Sequence, residues 1–88
     1  MTVKEKILKI MALVLEIEPT ATRNVTFNYT TIFSRVLYIY VHDNASAKIV
    51  DRIEYHADHE DIFDSCDDII RKLTELKNDM DAERQGET

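Results

Sequence analysis

The residues best suited to chemistry lie between positions 56 and 68. His56, Asp58, His59 and Asp61 supply imidazole and carboxylate groups, the types that bind divalent metals. The remaining residues of a metal-hydrolase signature are missing, and both aspartates also suit the start of a helix. His42 falls at the far end of another strand segment, so the three histidines do not converge. We therefore expect no metal site and no cofactor.

Carboxylates and one thiol offer a second kind of chemistry. Asp64 with Asp67 or Asp68 has helical spacing that could support acid–base catalysis. A chain with one glycine offers no obvious loop from which to build a cleft, so we expect these groups to be solvated. Cys66 falls on an apolar stripe, where a buried, inert thiol is expected. Serine-nucleophile motifs and glycine-rich phosphate loops are absent from the sequence, which we interpret as that of a non-enzymatic protein.

Five acidic residues form what we call the acidic strip: Glu60, Asp61, Asp64, Asp67 and Asp68. On one helix face their neighbours would be about 5 to 6 Å apart, which approximates the spacing of phosphates along a nucleic-acid strand. Such a face could occupy the basic groove of a nucleic-acid-binding protein. The alternative interpretation is an ordinary solvated face whose charge favours a helix N-terminus.

A first helix precedes these residues. Thr2 followed by Glu5 is a capping-box pattern, and an apolar stripe then predicts a helix from about Val3 to about Ile17. Pro19 disfavours continued helix, so we interpret the polar residues that follow it as a connection.

Three segments rich in β-branched and aromatic residues predict strands: Asn24–Thr31, Arg35–His42 and Lys48–His56. Turn-forming residues at positions 43–46 predict that the second and third strands form an antiparallel hairpin. A tight turn there would pair Val41 with Ile49 and Leu37 with Ile53.

A second helix is predicted after Asp58, its expected N-cap, because the hydrophobic period changes there from 2 to 3.6. Its apolar stripe contains Ile62, Cys66, Ile69, Leu73, Leu76 and Met80. The polar residues 81–88 predict a flexible tail, so we expect one domain over residues 1–80.

One sheet face is predicted to form the core. Leu37, Ile39 and Val41 alternate with more polar neighbours, and an odd loop length would place Val25, Phe27 and Tyr29 in the same layer. We prefer that register because it builds a continuous apolar face. The fold class is then two-layer α+β, a three-stranded antiparallel sheet covered on one face by two helices.

The opposite face of the sheet would carry exposed apolar and aromatic groups beside charge. We call it the tyrosine face and define it by Val36, Tyr38, Tyr40, Val50 and Arg52. Surfaces of this composition commonly mark protein association. We predict that this face binds a protein partner, with a homodimer as the alternative.

Composition restricts the class of protein further. The chain has 88 residues, 17 acidic against 11 basic, and one cysteine, which favours one small domain in a reducing compartment. Residues 1–50 carry six basic and four acidic groups, whereas residues 51–88 carry five and thirteen. Direct nucleic-acid binding is therefore disfavoured. The apolar run at residues 10–15 is too short to span a membrane, and without a visible signal peptide we expect a cytoplasmic protein.

The element order from Val3 to Met80, together with the acidity and short length, resembles small accessory proteins of bacteriophages and mobile elements, among them anti-CRISPR proteins. The resemblance lies in gross organisation and is carried by no motif, so no functional residue is transferred. It implies a protein inside a bacterial host that inhibits a nuclease or another nucleic-acid-handling protein. The acidic strip would then imitate DNA, and the alternative is a structural homodimer through the tyrosine face.

Overall fold

The computed structural model describes residues 1–87 and contains two helices and one sheet. In chain order the elements are α1 (Val3–Leu15), β1 (Arg23–Thr30), β2 (Val36–Asp43), β3 (Ile49–His56) and α2 (Cys66–Gly86). This order and the antiparallel sheet confirm the predicted fold class. No helix within the described residues is long and apolar enough to span a bilayer.

Helix α1 begins as its sequence predicts. The Thr2 side chain accepts a hydrogen bond from the Glu5 backbone, and the Glu5 side chain accepts one in return from the Thr2 backbone. The helix ends at Leu15, two residues before the predicted end, where the Glu16 N–H donates to the Leu13 carbonyl and the Ile17 N–H donates to the Val14 carbonyl.

The sheet has the order β1-β2-β3, and its first register is the preferred one. Val25 pairs with Val41 and Phe27 with Ile39, so the odd residues of β1 share a layer with the core residues of β2. This layer is the inner face of the sheet. All eight β1–β2 pairs follow one another without a register shift.

The predicted register of the β2–β3 hairpin is wrong by two residues. Val41 pairs with Asp51 rather than with Ile49, and Ile49 pairs with His42 across a β-bulge. The turn is longer than expected because Ala47 takes a left-handed conformation (φ 59°) and the Asp43 side chain accepts hydrogen bonds from Ser46. Because the register is shifted by two residues, the side chains along the rest of β3 stay on the predicted inner or outer face of the sheet.

Both helices pack against the inner face, where the core lies. Three fully buried residues belong to this core, one from each of α1, β2 and α2: Ile10, Ile39 and Leu73. The rest of this core consists of Ile7, Val14, Ile17, Leu37, Val41, Ile53, Tyr55, Ala57, Cys66, Ile69, Leu76 and Met80.

The predicted start of α2 is also wrong. Its N-cap is Ser65, which forms a capping box with Asp68, and the eight residues before it form turns. Asp58 cannot cap a helix because its carboxylate accepts hydrogen bonds from the backbone and guanidinium of Arg35. Ile62, assigned to the apolar stripe, is 72% exposed.

The other end of α2 extends beyond the predicted boundary. Residues 81–86 continue the helix as far as Gly86, so the expected flexible tail is wrong for them. Thr88, also assigned to that tail, lies outside the described residues. The segment is held to the connection between α1 and β1, because the Glu83 carboxylate accepts a hydrogen bond from the Thr20 hydroxyl and the Arg84 guanidinium donates one to the Glu18 carbonyl.

Candidate interaction surface

The tyrosine face lies on the outer side of the sheet, opposite both helices. Tyr38 and Tyr40 are partly buried on β2 and their rings stack, with centroids 6.2 Å apart and planes 6° from parallel. Tyr40 pairs with Arg52 and Tyr38 with Glu54 across β3. Side chains two apart on one strand face the same way, so the sheet brings these groups together as predicted.

Two residues assigned to the tyrosine face differ from expectation. Val36 is only 5% exposed, because it lies in a shallow depression with the Phe33 loop and His56. Val50 is 59% exposed but lies at the β-bulge, so it does not pair with Tyr40 as expected. The accessible centre of the face is therefore Tyr38, Tyr40 and Arg52.

Polar side chains surround the stacked tyrosines. His42 Nε2 lies 2.8 Å from Thr26 Oγ1, and Glu54 lies 3.7 Å from Arg52 and 3.9 Å from His56. Both charge signs are thus present on the strand that pairs with the two tyrosines. Aromatic groups surrounded by polar and charged side chains match the aromatic core and polar rim of protein interfaces.

The acidic strip does not form one helix face. Glu60, Asp61 and Asp64 lie in the turns before α2, and only Asp67 and Asp68 lie on the helix. The i,i+3 and i,i+4 spacing predicted for the five carboxylates is therefore wrong. The segment is not helical because Asp58 and Glu60 bind partners elsewhere in the chain.

Three of the five carboxylates are engaged within the molecule. Glu60 lies 2.6 Å from Lys6 Nζ, and Asp64 lies 2.5 Å from Lys72 Nζ. Asp68 serves the capping box, and hydrogen bonds from Ser65 hold its pKa below the ordinary value. Asp61 and Asp67 are exposed and form no ion pair within residues 1–87.

A cluster of ionisable groups lies where α1, β3 and α2 meet. Glu60 Oε2 accepts a hydrogen bond of 2.8 Å from the Cys66 backbone, and the ammonium of Lys6 holds the pKa of Glu60 below its ordinary value. Burial raises the pKa of Cys66, which keeps it a thiol near neutral pH. Burial, and after it the nearby Glu60 carboxylate, likewise raise the pKa of Tyr55. The contacts of Glu60 with Lys6 and with the Cys66 backbone tie α1 to the start of α2, and the raised pKa of Cys66 means that they do not activate a nucleophile.

The histidine and aspartate group near position 56 is dispersed by the fold. The His56 ring stacks on Phe63 with centroids 3.9 Å apart, and Asp58 is bound to Arg35. Among residues 1–87, no group of three or more His, Cys, Asp and Glu side chains is arranged to hold a metal ion.

A second apolar surface, which the sequence analysis missed, lies between α1 and β1. An open groove of about 390 Å³ is lined mainly by Ile7, Leu8 and Met11 of α1 and by Tyr29 of β1. The sequence feature that could have indicated this surface is the row of inward-facing residues on β1, because β1 is a strand at the edge of the sheet. The rule that inner-face residues are buried fails there because the helices do not fully cover the edge strand β1, whereas α2 packs against β3, the other edge strand, and Ile53 and Tyr55 of β3 are buried.

Comparisons of the chain with protein-family models, with curated proteins and with solved structures found no significant match.

Proposed function

We propose that this chain is a non-enzymatic protein-binding module that contacts its partner through the tyrosine face. The observation that carries the proposal is the stacked pair Tyr38 and Tyr40 at the centre of a sheet face that no helix covers. Aromatic residues and arginine contribute a large share of binding energy at protein interfaces. Arg52, opposite Tyr40, completes this combination.

The partner is a protein surface rather than a nucleic acid. Glu54 pairs directly with Tyr38, and the chain as a whole carries a net charge of -6, so a phosphate backbone would be repelled. A partner with apolar groups to pack on the tyrosine rings and a carboxylate to meet Arg52 fits the chemistry of this face.

Photocrosslinking in the cell that expresses the protein tests this proposal. A photoreactive phenylalanine derivative at position 38 or 40 replaces a tyrosine by a group of similar shape. We expect one discrete crosslinked product from each of these two positions, because a shared interface would place both within reach of the same partner. Mass spectrometry identifies the product and measures its mass.

The matched control places the same derivative at Asn78, on the exposed side of α2. Products from position 78 that equal those from 38 and 40, or no product from either tyrosine position, would overturn the proposal. A product with the mass of two copies of this chain would support the alternative, a homodimer through the tyrosine face.

A narrower hypothesis concerns a bacterial host and the acidic strip. Because Asp61 and Asp67 are exposed and free of ion pairs within residues 1–87, they remain available to a basic groove such as that of a nucleic-acid-handling protein. The inhibitory, DNA-imitating role is supported only by these two carboxylates. If it is right, Asp61→Asn with Asp67→Asn should weaken capture of the crosslinked partner, most strongly at low salt. Equal capture by the variant and the unaltered chain would reject it.

A further inference from the structure

The two edges of the sheet differ in their protection against pairing with another strand. β3 carries Asp51, Arg52 and Glu54 and contains the β-bulge, features that oppose edge-to-edge association. β1 has eight residues in regular register, no proline, glycine or lysine, and no charged residue after Arg23. An unprotected edge of this length is suited to pair with another strand.

The backbone of β1 shows which groups point outward. The Val25 N–H donates to the Asn24 side chain at 2.9 Å, and the Arg23 carbonyl accepts from Thr20 at 2.9 Å, so both point away from β2. Hydrogen-bonding direction alternates along an antiparallel strand. The N–H and C=O groups of Phe27 and Tyr29 therefore point toward the same open edge.

An apolar surface continues from this edge onto α1. Phe27 and Tyr29 are 38% and 39% exposed although they belong to the inner face. On α1, Leu8 and Leu15 are 54% and 68% exposed. At 100° per residue they fall on one flank of the helix, whereas Lys6, which binds Glu60 beside α2, falls on the other. We call the surface formed by Leu8, Leu15, Val25, Phe27 and Tyr29 the α1–β1 edge.

We propose that the α1–β1 edge is the interface of a homodimer, in which two β1 strands pair antiparallel and form one six-stranded sheet. A twofold axis at Phe27 pairs Val25 of one copy with Tyr29 of the other and brings no like charges opposite each other. Phe27 and Tyr29 supply the outward N–H and C=O groups that this register requires, and the Val25 N–H exchanges its hydrogen bond with the Asn24 side chain for one with the second copy.

The distribution of charge along α1 indicates that the partner at the α1–β1 edge is a second copy of this chain. Lys4 and Lys9 lie in the N-terminal half of α1, where the Glu5 carboxylate is engaged in the capping box with Thr2, whereas the acidic residues Glu16 and Glu18 follow the end of the helix. The twofold axis makes the two α1 helices antiparallel and brings the positive end of each toward the negative end of the other. Leu8 of one copy then lies near Leu15 of its partner, above the paired strands.

The tyrosine faces of both copies lie on the same side of the joined sheet and stay free, so this interface is independent of the proposed function.

The first test is the mass of the full chain in solution by light scattering after size-exclusion chromatography. We expect twice the chain mass of 10.3 kDa. By amide exchange, the N–H groups of Phe27 and Tyr29 should be protected, and their protection should fall on dilution. A monomer at the highest attainable concentration, or fast exchange at both positions in the assembled state, would overturn the proposal.

The second test uses charge on α1, where substitutions at exposed positions leave the core intact. Leu8→Lys with Leu15→Lys should produce monomers with an unchanged circular dichroism spectrum, and so should Leu8→Glu with Leu15→Glu. An equimolar mixture of the two variants should restore the dimer mass, because opposite charges then meet across the axis.

Val50→Lys, at a similarly exposed apolar residue on the protected β3 edge, is the matched control and should remain dimeric. A dimer that persists in both α1 variants, or that is lost in Val50→Lys or Tyr40→Ala, would place the interface elsewhere.

Discussion

At the scale of the residue, Glu83 shows how one side chain can hold two distant parts of the chain together. Its carboxylate accepts hydrogen bonds from the hydroxyls of Thr22 and Thr20 and from the guanidinium of Arg23. These donors stabilise the charged form and lower the pKa of Glu83 to about 2. Thr20 is the one polar residue among the buried positions of residues 1–87; its hydroxyl donates to this carboxylate and accepts from the backbone N–H groups of Thr22 and Arg23.

We therefore predict a specific pH dependence for Glu83→Gln. The folded pKa lies below the ordinary value of 4.5, so the carboxylate stabilises the protein above pH 4.5, and this contribution is lost as pH falls toward 2. Thermal unfolding should show a lower midpoint for Glu83→Gln than for the unaltered chain at pH 7. The two midpoints should converge between pH 4.5 and 2.

The control for this experiment is Glu75→Gln, which removes one negative charge from an exposed position of the same helix and leaves the hydrogen bonds between Glu83 and residues 20–23 in place. It should change the midpoint at pH 7 much less than Glu83→Gln does. A gap between Glu83→Gln and the unaltered chain that is constant from pH 7 to pH 2 would contradict the assignment.

At the scale of the element, the start of α2 is set by a local device. Ser65 Oγ accepts from the Asp68 backbone at 3.2 Å, and Asp68 Oδ2 accepts from the Ser65 hydroxyl at 3.0 Å. The capping box usually has Glu or Gln at its third helical position, and here the shorter Asp fills it. The carboxylate of Asp58, the N-cap predicted from the sequence, is bound to Arg35 and does not compete with Ser65.

Removing this cap should destabilise the protein by a defined amount. We predict that Ser65→Ala lowers the free energy of unfolding by about 1 kcal/mol, equivalent to a fall in melting temperature of about 4 to 8 °C. Thr74→Ala is the control, since this hydroxyl donates to the Ile70 carbonyl within the helix, where alanine is well tolerated. Equal effects of the two substitutions would reject the capping role of Ser65.

At the scale of the whole molecule, the last turns of α2 brace the connection between α1 and β1. Arg84 donates to the Glu18 carbonyl at 2.7 Å, and the Ala21 N–H donates to the Glu87 carboxylate at 2.7 Å. Asn44 in the β2–β3 turn donates to the carbonyls of Thr20 and Ala21. The connection is thus fixed from two sides, which sets where β1 enters the sheet.

Truncation tests this brace. Deleting residues 81–88 removes no residue of the apolar core but removes Glu83, Arg84 and Glu87, so we predict a melting temperature lower by more than about 5 °C. Gly86→Ala is the control, because a methyl group there would meet no atom within 4 Å. An unchanged melting temperature after truncation would mean that these contacts are dispensable.

The sequence alone determined the order and type of the five elements and which side of the sheet forms the core. Both follow from local periodicity, because a period of 2 or 3.6 assigns each residue to a face whatever lies opposite. It also placed Tyr38 and Tyr40 together on the outer face. The register error of two residues between β2 and β3 does not change this, because a shift of two leaves each side chain on the same face of the sheet.

Tertiary structure decided the rest through contacts between residues far apart in the chain. Arg35 and Lys6 bind Asp58 and Glu60 and so hold residues 57–64 out of helix α2, which splits the acidic strip. Glu83 keeps the end of α2 ordered through residues sixty positions away. The exposure of Phe27 arises because the helices leave β1 partly uncovered at the sheet edge, whereas α2 covers β3. Side-chain partners and edge positions of this kind depend on the whole fold, so no local pattern in the sequence contains them.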